Sequence, residues 1–189
     1  MRKIKGFTMI ELLIVIAVLG VLAVAVLSAI NPIEQINRAK DTSSRSDAEQ
    51  LLSAIDRWYT SMGYYPWRSS PTAGSDTQNW LRITSISGWI DDAGNRVLEK
   101  LSSGGSAELK ASFVERIVGA GYNYLFVYNG GQAGNSTYVC FRGLSNAFQT
   151  EAKDRCEGTK GSIPPDLPSS YVCNVGVDGK TGQYLTCLP

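Results

Sequence analysis

The sequence contains no histidine among its 189 residues, and this absence excludes several kinds of site. Without imidazole there is no histidine general base, no Ser–His–Asp triad and no zinc site with histidine ligands. No pair of nucleophile and base is recognisable among the remaining residues. The sequence therefore predicts a protein that is not an enzyme.

Cysteine is scarce, and all four cysteines lie in the last third of the chain: Cys140, Cys156, Cys173 and Cys187. Their spacing provides none of the close pairs that are typical of a zinc site. An even number of cysteines is compatible with two disulfides formed in an oxidising compartment.

A surplus of positive charge is also missing, because 18 basic residues stand against 17 acidic ones. The chain therefore lacks the electrostatic footprint of a nucleic-acid-binding protein, and we expect no nucleic acid as a partner.

Charged residues are absent from one long stretch, residues 12–33. About 20 apolar residues at 1.5 Å rise per residue cover a hydrocarbon core of about 30 Å, so the stretch predicts a membrane-spanning helix. Arg2, Lys3 and Lys5 precede it, which predicts a cytoplasmic N-terminus and an external head. No Ala-x-Ala cleavage site follows, unlike in a secretory signal peptide.

The residues before the apolar stretch read Lys-Gly-Phe-Thr-Met-Ile-Glu from Lys5 to Glu11. This segment resembles the prepilin signature of type IV pilins and type II secretion pseudopilins. The resemblance implies that a prepilin peptidase cuts between Gly6 and Phe7 and methylates the new amine of Phe7. It also implies a helical homo-oligomeric filament, with an assembly ATPase and an inner-membrane platform protein as further partners.

Glu11 is a lone carboxylate at the edge of the apolar stretch. Burying it unpaired costs several kcal/mol by order of magnitude, so a partner or a proton is implied. Glu11 lies four residues after Phe7, on the same helix face as the amine that cleavage creates. The resemblance favours pairing with the amine of a neighbouring subunit during assembly. The alternative is a solvated Glu11 at the level of the headgroups.

Pro32 predicts a kink, because proline lacks the backbone donor that a continuous helix uses. The same place also suits a restart, with Asn31 as N-cap and Glu34 at the third position. The resemblance implies that Gly20 and Pro32 flank a segment that loosens in the filament. A packed glycine and a simple proline kink are the alternative.

Residues 34–61 form the amphipathic half of this first helix, with an apolar stripe that is strongest from Ala48 onward. The polar residues 37–47 predict an exposed middle. Gly63 and Pro66 predict the end of the helix near Tyr59. The sequence Gly63-Tyr64-Tyr65-Pro66 also resembles major pseudopilins.

The remaining residues, 62–189, predict a globular head. A short helix is expected over residues 109–118, strands over 122–128 and 137–142, and a long loop over 143–169. The alternating aromatic residues of the first strand predict a sheet face that packs on the helix. The fold class is therefore α+β: a leader (1–6), a membrane and filament-core helix (7–33), its amphipathic half (34–61), and an antiparallel sheet with a disulfide-bonded C-terminal region.

The last hairpin predicts one disulfide directly. A turn centred on Lys180 sets Cys173 opposite Cys187, within the range of a disulfide. By elimination, Cys140 then pairs with Cys156.

Asp91, Asp92 and Asn95 form a weak candidate for a calcium loop, without the alternating ligands and distal glutamate of an EF-hand. No other cofactor is expected.

Removal of Arg2, Lys3 and Lys5 with the leader leaves 15 basic residues against 17 acidic ones, a formal charge of −2. The sequence thus predicts a structural pilus or pseudopilus subunit, located first in the cytoplasmic membrane and then in a cell-surface or periplasmic filament. The alternative is a minor pilin whose head binds DNA, a surface or a secreted substrate. A basic tip for DNA would use four residues: Arg142, Lys153, Arg155 and Lys160.

Overall fold

A computed structural model describes residues 6–29, 31–103 and 107–189. Residues 1–5 of the predicted leader and Ile30 of the predicted membrane segment lie outside the described residues. The chain divides into two compact units, residues 1–36 and 37–189.

The first unit is dominated by helix α1 (Met9–Ala29), whose residues are apolar apart from Glu11 and Ser28. Residues 9–28 have a mean hydropathy of 3.1, and α1 is the one helix within the described ranges that is long and apolar enough to cross a membrane. Its large apolar side chains are exposed, which is unusual for a helix completed by its own chain.

Helix α2 (Pro32–Met62) begins at the predicted restart. The side-chain oxygen of Asn31 accepts a hydrogen bond from the Glu34 N–H at 3.3 Å, which caps the first turn. At the other end, the Gly63 N–H donates to the Tyr59 carbonyl at 2.8 Å, and Gly63 has φ +76°. The predicted stop at Gly63 is therefore confirmed, because a left-handed residue after a helix favours glycine.

Four antiparallel strands form the sheet, in the order β1 (Gln78–Arg82), β2 (Leu125–Asn129), β3 (Thr137–Arg142), β6 (Leu185–Leu188). A separate hairpin joins β4 (Val175–Val177) to β5 (Lys180–Gln183). Short helices complete the head: α3 (Val97–Ser102), α4 (Ala111–Ile117), α5 (Asn146–Cys156) and α6 (Ser169–Val172). The α+β class and the antiparallel sheet are confirmed.

The main core lies between α2 and one face of the sheet. Leu51 and Ile55 of α2 are fully buried in it with Leu125 and Val127 of β2. The helix stripe that begins at Ala48 was predicted correctly, because its apolar residues recur at helical spacing.

The aromatic side chains of β2 were predicted to pack on the first helix, but they lie on the opposite face of the sheet. Phe126 is buried in a second cluster that includes Leu167, Val172 and Leu185, residues of the C-terminal region. Trp80 stacks on Phe126, with ring centroids 5.2 Å apart. Both faces of this strand are apolar, so the period of two locates the strand without telling which face meets α2.

The prediction that the polar middle of α2 is exposed is also wrong in part. Asp41, Ser44 and Asp47 are buried at 0%, 2% and 2% exposure. They continue the stripe of Ala48 and Leu51 toward the start of α2 with polar side chains, which bond to the head as described below.

The predicted disulfides are wrong in both pairings: Cys140 bonds Cys187, and Cys156 bonds Cys173. The reason is the turn. Asp178 and Gly179 both have positive φ, 51° and 75°, and form a two-residue turn with Val177 opposite Lys180. Asp-Gly is the sequence that favours such a turn, which places its centre earlier than the predicted one.

The second half of the predicted hairpin consequently belongs to the main sheet. Strand β6 pairs with β3 and sets Cys187 directly opposite Cys140, with Cα atoms 4.0 Å apart. The long loop predicted over residues 143–169 contains α5, whose last residue, Cys156, reaches Cys173 just after α6.

Candidate functional site

The N-terminal segment presents its peptide bonds openly. Gly6 and Phe7 precede α1 in non-helical conformation and are exposed, Phe7 by 78%. A side chain added at Gly6 would meet no atom within 4 Å. The chain itself therefore gives no steric reason for glycine at this position, and a requirement for it must come from a molecule that acts on the segment.

Glu11 has a partner within its own chain. Its Oε2 accepts hydrogen bonds from the Thr8 N–H at 2.8 Å and from the Thr8 hydroxyl at 2.6 Å. The Glu11 N–H donates in return to the Thr8 hydroxyl oxygen at 3.3 Å. This reciprocal pair is a capping box, which satisfies donors at the start of α1. The carboxylate is thus held at the first turn, on the side of the helix start where Phe7 lies.

Gly20 lies in the interior of α1, and a side chain added there would meet nothing within 4 Å. Glycine in a helix interior costs about 1 kcal/mol relative to alanine. Among the described residues of the first unit, no packing against Gly20 offsets this cost. The proposed loosening at Gly20 and Pro32 stays a prediction.

Two buried carboxylates attach α2 to the head. Asp41 accepts hydrogen bonds from the Leu144 N–H at 2.7 Å, the Ser145 N–H at 2.8 Å and the Ser145 hydroxyl at 2.6 Å. Ser145 is the N-cap of α5 and accepts from the Phe148 N–H. Asp41 therefore fixes the entry into α5, and each buried donor has an acceptor.

Asp47 forms the second attachment. It pairs with Arg116 of α4 at 2.7 Å and accepts from the Tyr122 hydroxyl at 2.5 Å. Burial and then the negative charge of Asp47 raise the pKa of Tyr122 far above its usual value. Tyr122 therefore remains a neutral hydrogen-bond donor to Asp47 at ordinary pH values.

The calcium candidate is occupied by groups of the protein. The Lys100 ammonium donates to Asp91 Oδ2 at 2.9 Å and to the carbonyl oxygens of Pro66 at 2.8 Å and Arg68 at 2.7 Å. The other oxygen of Asp91 accepts from the backbone and side chain of Asn95. All three ammonium donors are used, and they meet oxygens of the kind that calcium prefers.

Asp92 does not complete a metal site either, because its Oδ1 accepts from the Ser69 N–H at 2.6 Å. Burial by itself would raise the pKa of Asp91, but hydrogen bonds from Asn95 and Lys100 outweigh it and lower that pKa to about 2. Asp91, Asp92 and Asn95 do not fit a calcium ion, since Lys100 already holds the central position.

The comparison with protein families decides the nature of the N-terminal segment. Residues 1–27 match the family model described as the prokaryotic N-terminal methylation motif. The segment carries the signature of type IV pilins and pseudopilins. The comparisons with curated proteins and with solved structures gave no match.

The pilin signature bears on the general role of the protein, its processing and assembly, the type of its family and its membrane anchoring. It favours a type IV pilin-like or pseudopilin role in general, and it implies processing by a prepilin peptidase and assembly into a filament. Its family is structural in type rather than enzymatic. Together with α1, the signature fits a membrane-anchored protein.

The basic residues proposed for a DNA-binding tip each have an acidic partner. Lys153, Arg155 and Lys160 pair within or just beyond α5, as Lys153–Glu157, Arg155–Glu151 and Lys160–Asp154. Arg142 lies elsewhere on the head and faces Asp178 at 3.5 Å. The ion pairs on and near α5 neutralise three of the four charges, and Arg142 lies apart from them, so the geometry does not assemble the proposed basic tip.

Sequence reasoning missed Asp41, Asp47 and Lys100. For the first two a signal existed, because positions 41, 44, 47, 48, 51, 54, 55 and 58 form one helical stripe. Polar residues on such a stripe indicate a face that is buried through hydrogen bonds. Lys100 had no comparable signal, since two of its acceptors are backbone carbonyls distant in sequence.

Proposed function

We propose that this protein is a structural subunit of a type IV pilus or a type II secretion-like pseudopilus. The peptidase cuts between Gly6 and Phe7, the amine of Phe7 is methylated, and the subunit assembles through α1. The observation that carries the proposal is the methylation motif immediately ahead of a helix whose apolar side chains are exposed. Apolar helices packed in a filament core are shielded from water after they leave the lipid.

The proposal gives the chain a single-pass orientation before assembly. Arg2, Lys3 and Lys5 keep the N-terminus in the cytoplasm, and the disulfide-bonded head lies outside. The assembly ATPase and the platform protein act on this membrane-inserted form. The filament is then located at the cell surface or in the periplasm.

Processing is tested first. Expression with an active prepilin peptidase should yield a chain that begins at a methylated Phe7, measured by intact-mass spectrometry and N-terminal peptide mapping. Expression with an inactive peptidase should leave a chain that still begins at Met1, with or without its formyl group. A cut near residue 30, or no difference between the two hosts, would contradict the proposal.

Assembly is tested at Glu11, where charge and capping are separable. Glu11→Gln retains a capping box, because glutamine serves at the third position, but it removes the negative charge. Thr8→Val removes the cap and retains the charge. We expect Glu11→Gln and Glu11→Val to insert and to be cleaved normally but to form few filaments, counted by electron microscopy of sheared material.

Glu115→Gln is the matched control, since Glu115 is an exposed glutamate of the head on α4. It should leave filament number unchanged. If Thr8→Val abolishes filaments while Glu11→Gln does not, Glu11 acts by capping α1 and the pairing with the amine of Phe7 is wrong.

A further inference from the structure

A basic pocket of about 510 Å³ lies on the head, between α2, the segment before β2 and the turn between β4 and β5. Its charged lining consists of Lys40, Arg116, Arg142 and Asp178. The volume is in the range of small-molecule sites. Neither the methylation motif nor the buried contacts of α2 require a cavity here.

The pocket carries an excess of positive charge. Asp178 is shared by two guanidinium groups, with Arg82 at 2.6 Å and Arg142 at 3.5 Å, and Asp47 is the partner of Arg116. Lys40 is exposed and forms no hydrogen bond or ion pair within the described part of the chain. The cluster contains four cations and two carboxylates, so its formal charge is +2. The cations are Lys40, Arg82, Arg116 and Arg142, and the carboxylates are Asp47 and Asp178.

Arg142 is the least satisfied of these cations. Its side chain is only 12% exposed, and its Nε and Nη1 are buried without a hydrogen-bond partner among the described residues. A desolvated guanidinium normally forms charge-assisted hydrogen bonds, often bidentate ones to carboxylate or phosphate. One shared carboxylate at 3.5 Å does not provide them.

Neutral side chains hold these cations in place around the pocket. Ser43 contributes a hydroxyl to the lining, and Tyr124 lies under Arg82, whose guanidinium carbon is 4.1 Å from the ring centroid. Asn123 fixes the floor, because its amide donates to the Arg142 carbonyl at 2.6 Å and to Ser44 at 3.2 Å. Asn123 thus ties the backbone of Arg142 to α2 at the edge of the pocket.

We propose that this pocket binds the phosphate group of a monoester, with Lys40, Arg116 and Arg142 as its cationic contacts. A doubly charged tetrahedral anion matches both the formal charge of the cluster and the fork geometry of arginine. The remaining volume accommodates the organic part of the ester. This inference is independent of the filament proposal, since it concerns the head alone.

The test uses the full processed chain in micelles of a zwitterionic detergent, with its lysines ¹³C-methylated so that they retain their charge. Glycerol 3-phosphate is titrated at constant ionic strength and compared with sodium chloride. The Lys40 resonance should shift with a saturable curve, whereas that of Lys153, paired on α5, should follow ionic strength only.

Variants test the contacts. Loss of one charge-assisted contact should weaken binding about tenfold, so Lys40→Gln and Arg142→Gln should each raise Kd by that order, while Lys153→Gln should not. Lys40 is exposed, so Lys40→Gln remains informative even if Arg142→Gln fails to fold. A Lys40 resonance that moves no more than that of Lys153, or a Kd unchanged in Lys40→Gln, would overturn the proposal.

A second arm separates a soluble ester from a lipid headgroup. The chain is placed in nanodiscs of phosphatidylcholine with or without phosphatidylglycerol or phosphatidic acid. A Lys40 shift with phosphatidic acid alone, a phosphate monoester, identifies a lipid source, and a shift with glycerol 3-phosphate alone identifies a soluble one. No shift in either arm contradicts the site.

Discussion

Helices α1 and α2 follow each other in sequence and obtain their stability in different ways. The apolar side chains of α1 are exposed within the chain, Leu22 by 55%. Those of α2 lie in one stripe, of which Leu51 is fully buried against the sheet. The head of the chain thus covers the apolar stripe of α2, whereas the exposed apolar side chains of α1 fit a membrane-anchored helix.

A leucine-to-alanine substitution should destabilise the head when it is made in α2 but not when it is made in α1, and this is the largest difference that we expect. Leu51→Ala should lower the free energy of unfolding of the head by about 3 kcal/mol, because it leaves a cavity in the core. Leu22→Ala should leave that free energy unchanged. Both are measured by denaturant unfolding of the full chain in micelles, followed by tryptophan fluorescence. A comparable loss in Leu22→Ala would show that α1 stabilises the head.

Substitution of a buried polar residue of α2 should lower the free energy of unfolding slightly less than Leu51→Ala does. Asp41→Ala leaves buried donors of Leu144 and Ser145 without an acceptor, which should cost about 2 kcal/mol of unfolding free energy. Asp56→Ala is the control, as Asp56 is an exposed carboxylate on the same helix. The two variants are compared by thermal and urea unfolding. Equal stabilities would mean that α2 is held by apolar contacts alone.

Low pH should remove the contribution of Asp91, the carboxylate next to Lys100, to the free energy of unfolding. The pKa of Asp91 is lowered to about 2 in the folded head, against an ordinary value of 3.8. Its contribution is therefore fully present above pH 4 and is lost as the pH falls through 2, with a size of about 2 kcal/mol. Urea unfolding at a series of pH values should show a shallower loss in Asp91→Asn than in the unmodified chain. Parallel curves would contradict the role of this ion pair.

The outer face of α2 should give the smallest effect. Arg45 pairs with Glu49 one turn later, and both side chains are about half exposed, 48% and 57%. Arg45→Gln should change the free energy of unfolding by no more than about 0.5 kcal/mol, and added salt should reduce the difference further. A loss as large as that of Asp41→Ala would show that the exposed face of α2 also supports the fold.

Local signals explain most of what the sequence predicts correctly. Asn31 and Pro32 mark the start of α2, Gly63 marks its end, and the strand predicted over residues 137–142 is β3. The residues that carry the processing motif are contiguous, so no tertiary information was needed to recognise them.

The errors arise where non-local packing decides. Helix α5 buries only Ala152, so it has no apolar stripe that periodicity can detect. The aromatic face of β2 was assigned to the wrong side because both faces are apolar. The disulfides depended on one turn, and a shift of that turn to Asp178 and Gly179 sent Cys187 to a different strand. The basic pocket joins residues from distant segments and left no sequence pattern.

The pairing of β6 with β3 imposes an order on biogenesis. Cys140 and Cys187 are separated by 47 residues. A chain synthesised from its N-terminus therefore exposes one edge of β3 until β6 has been synthesised. The Cys156–Cys173 link spans 17 residues and becomes available earlier. Pairing of β6 is thus the closing step of the sheet, and a chain that lacks β6 would keep one edge of β3 unpaired.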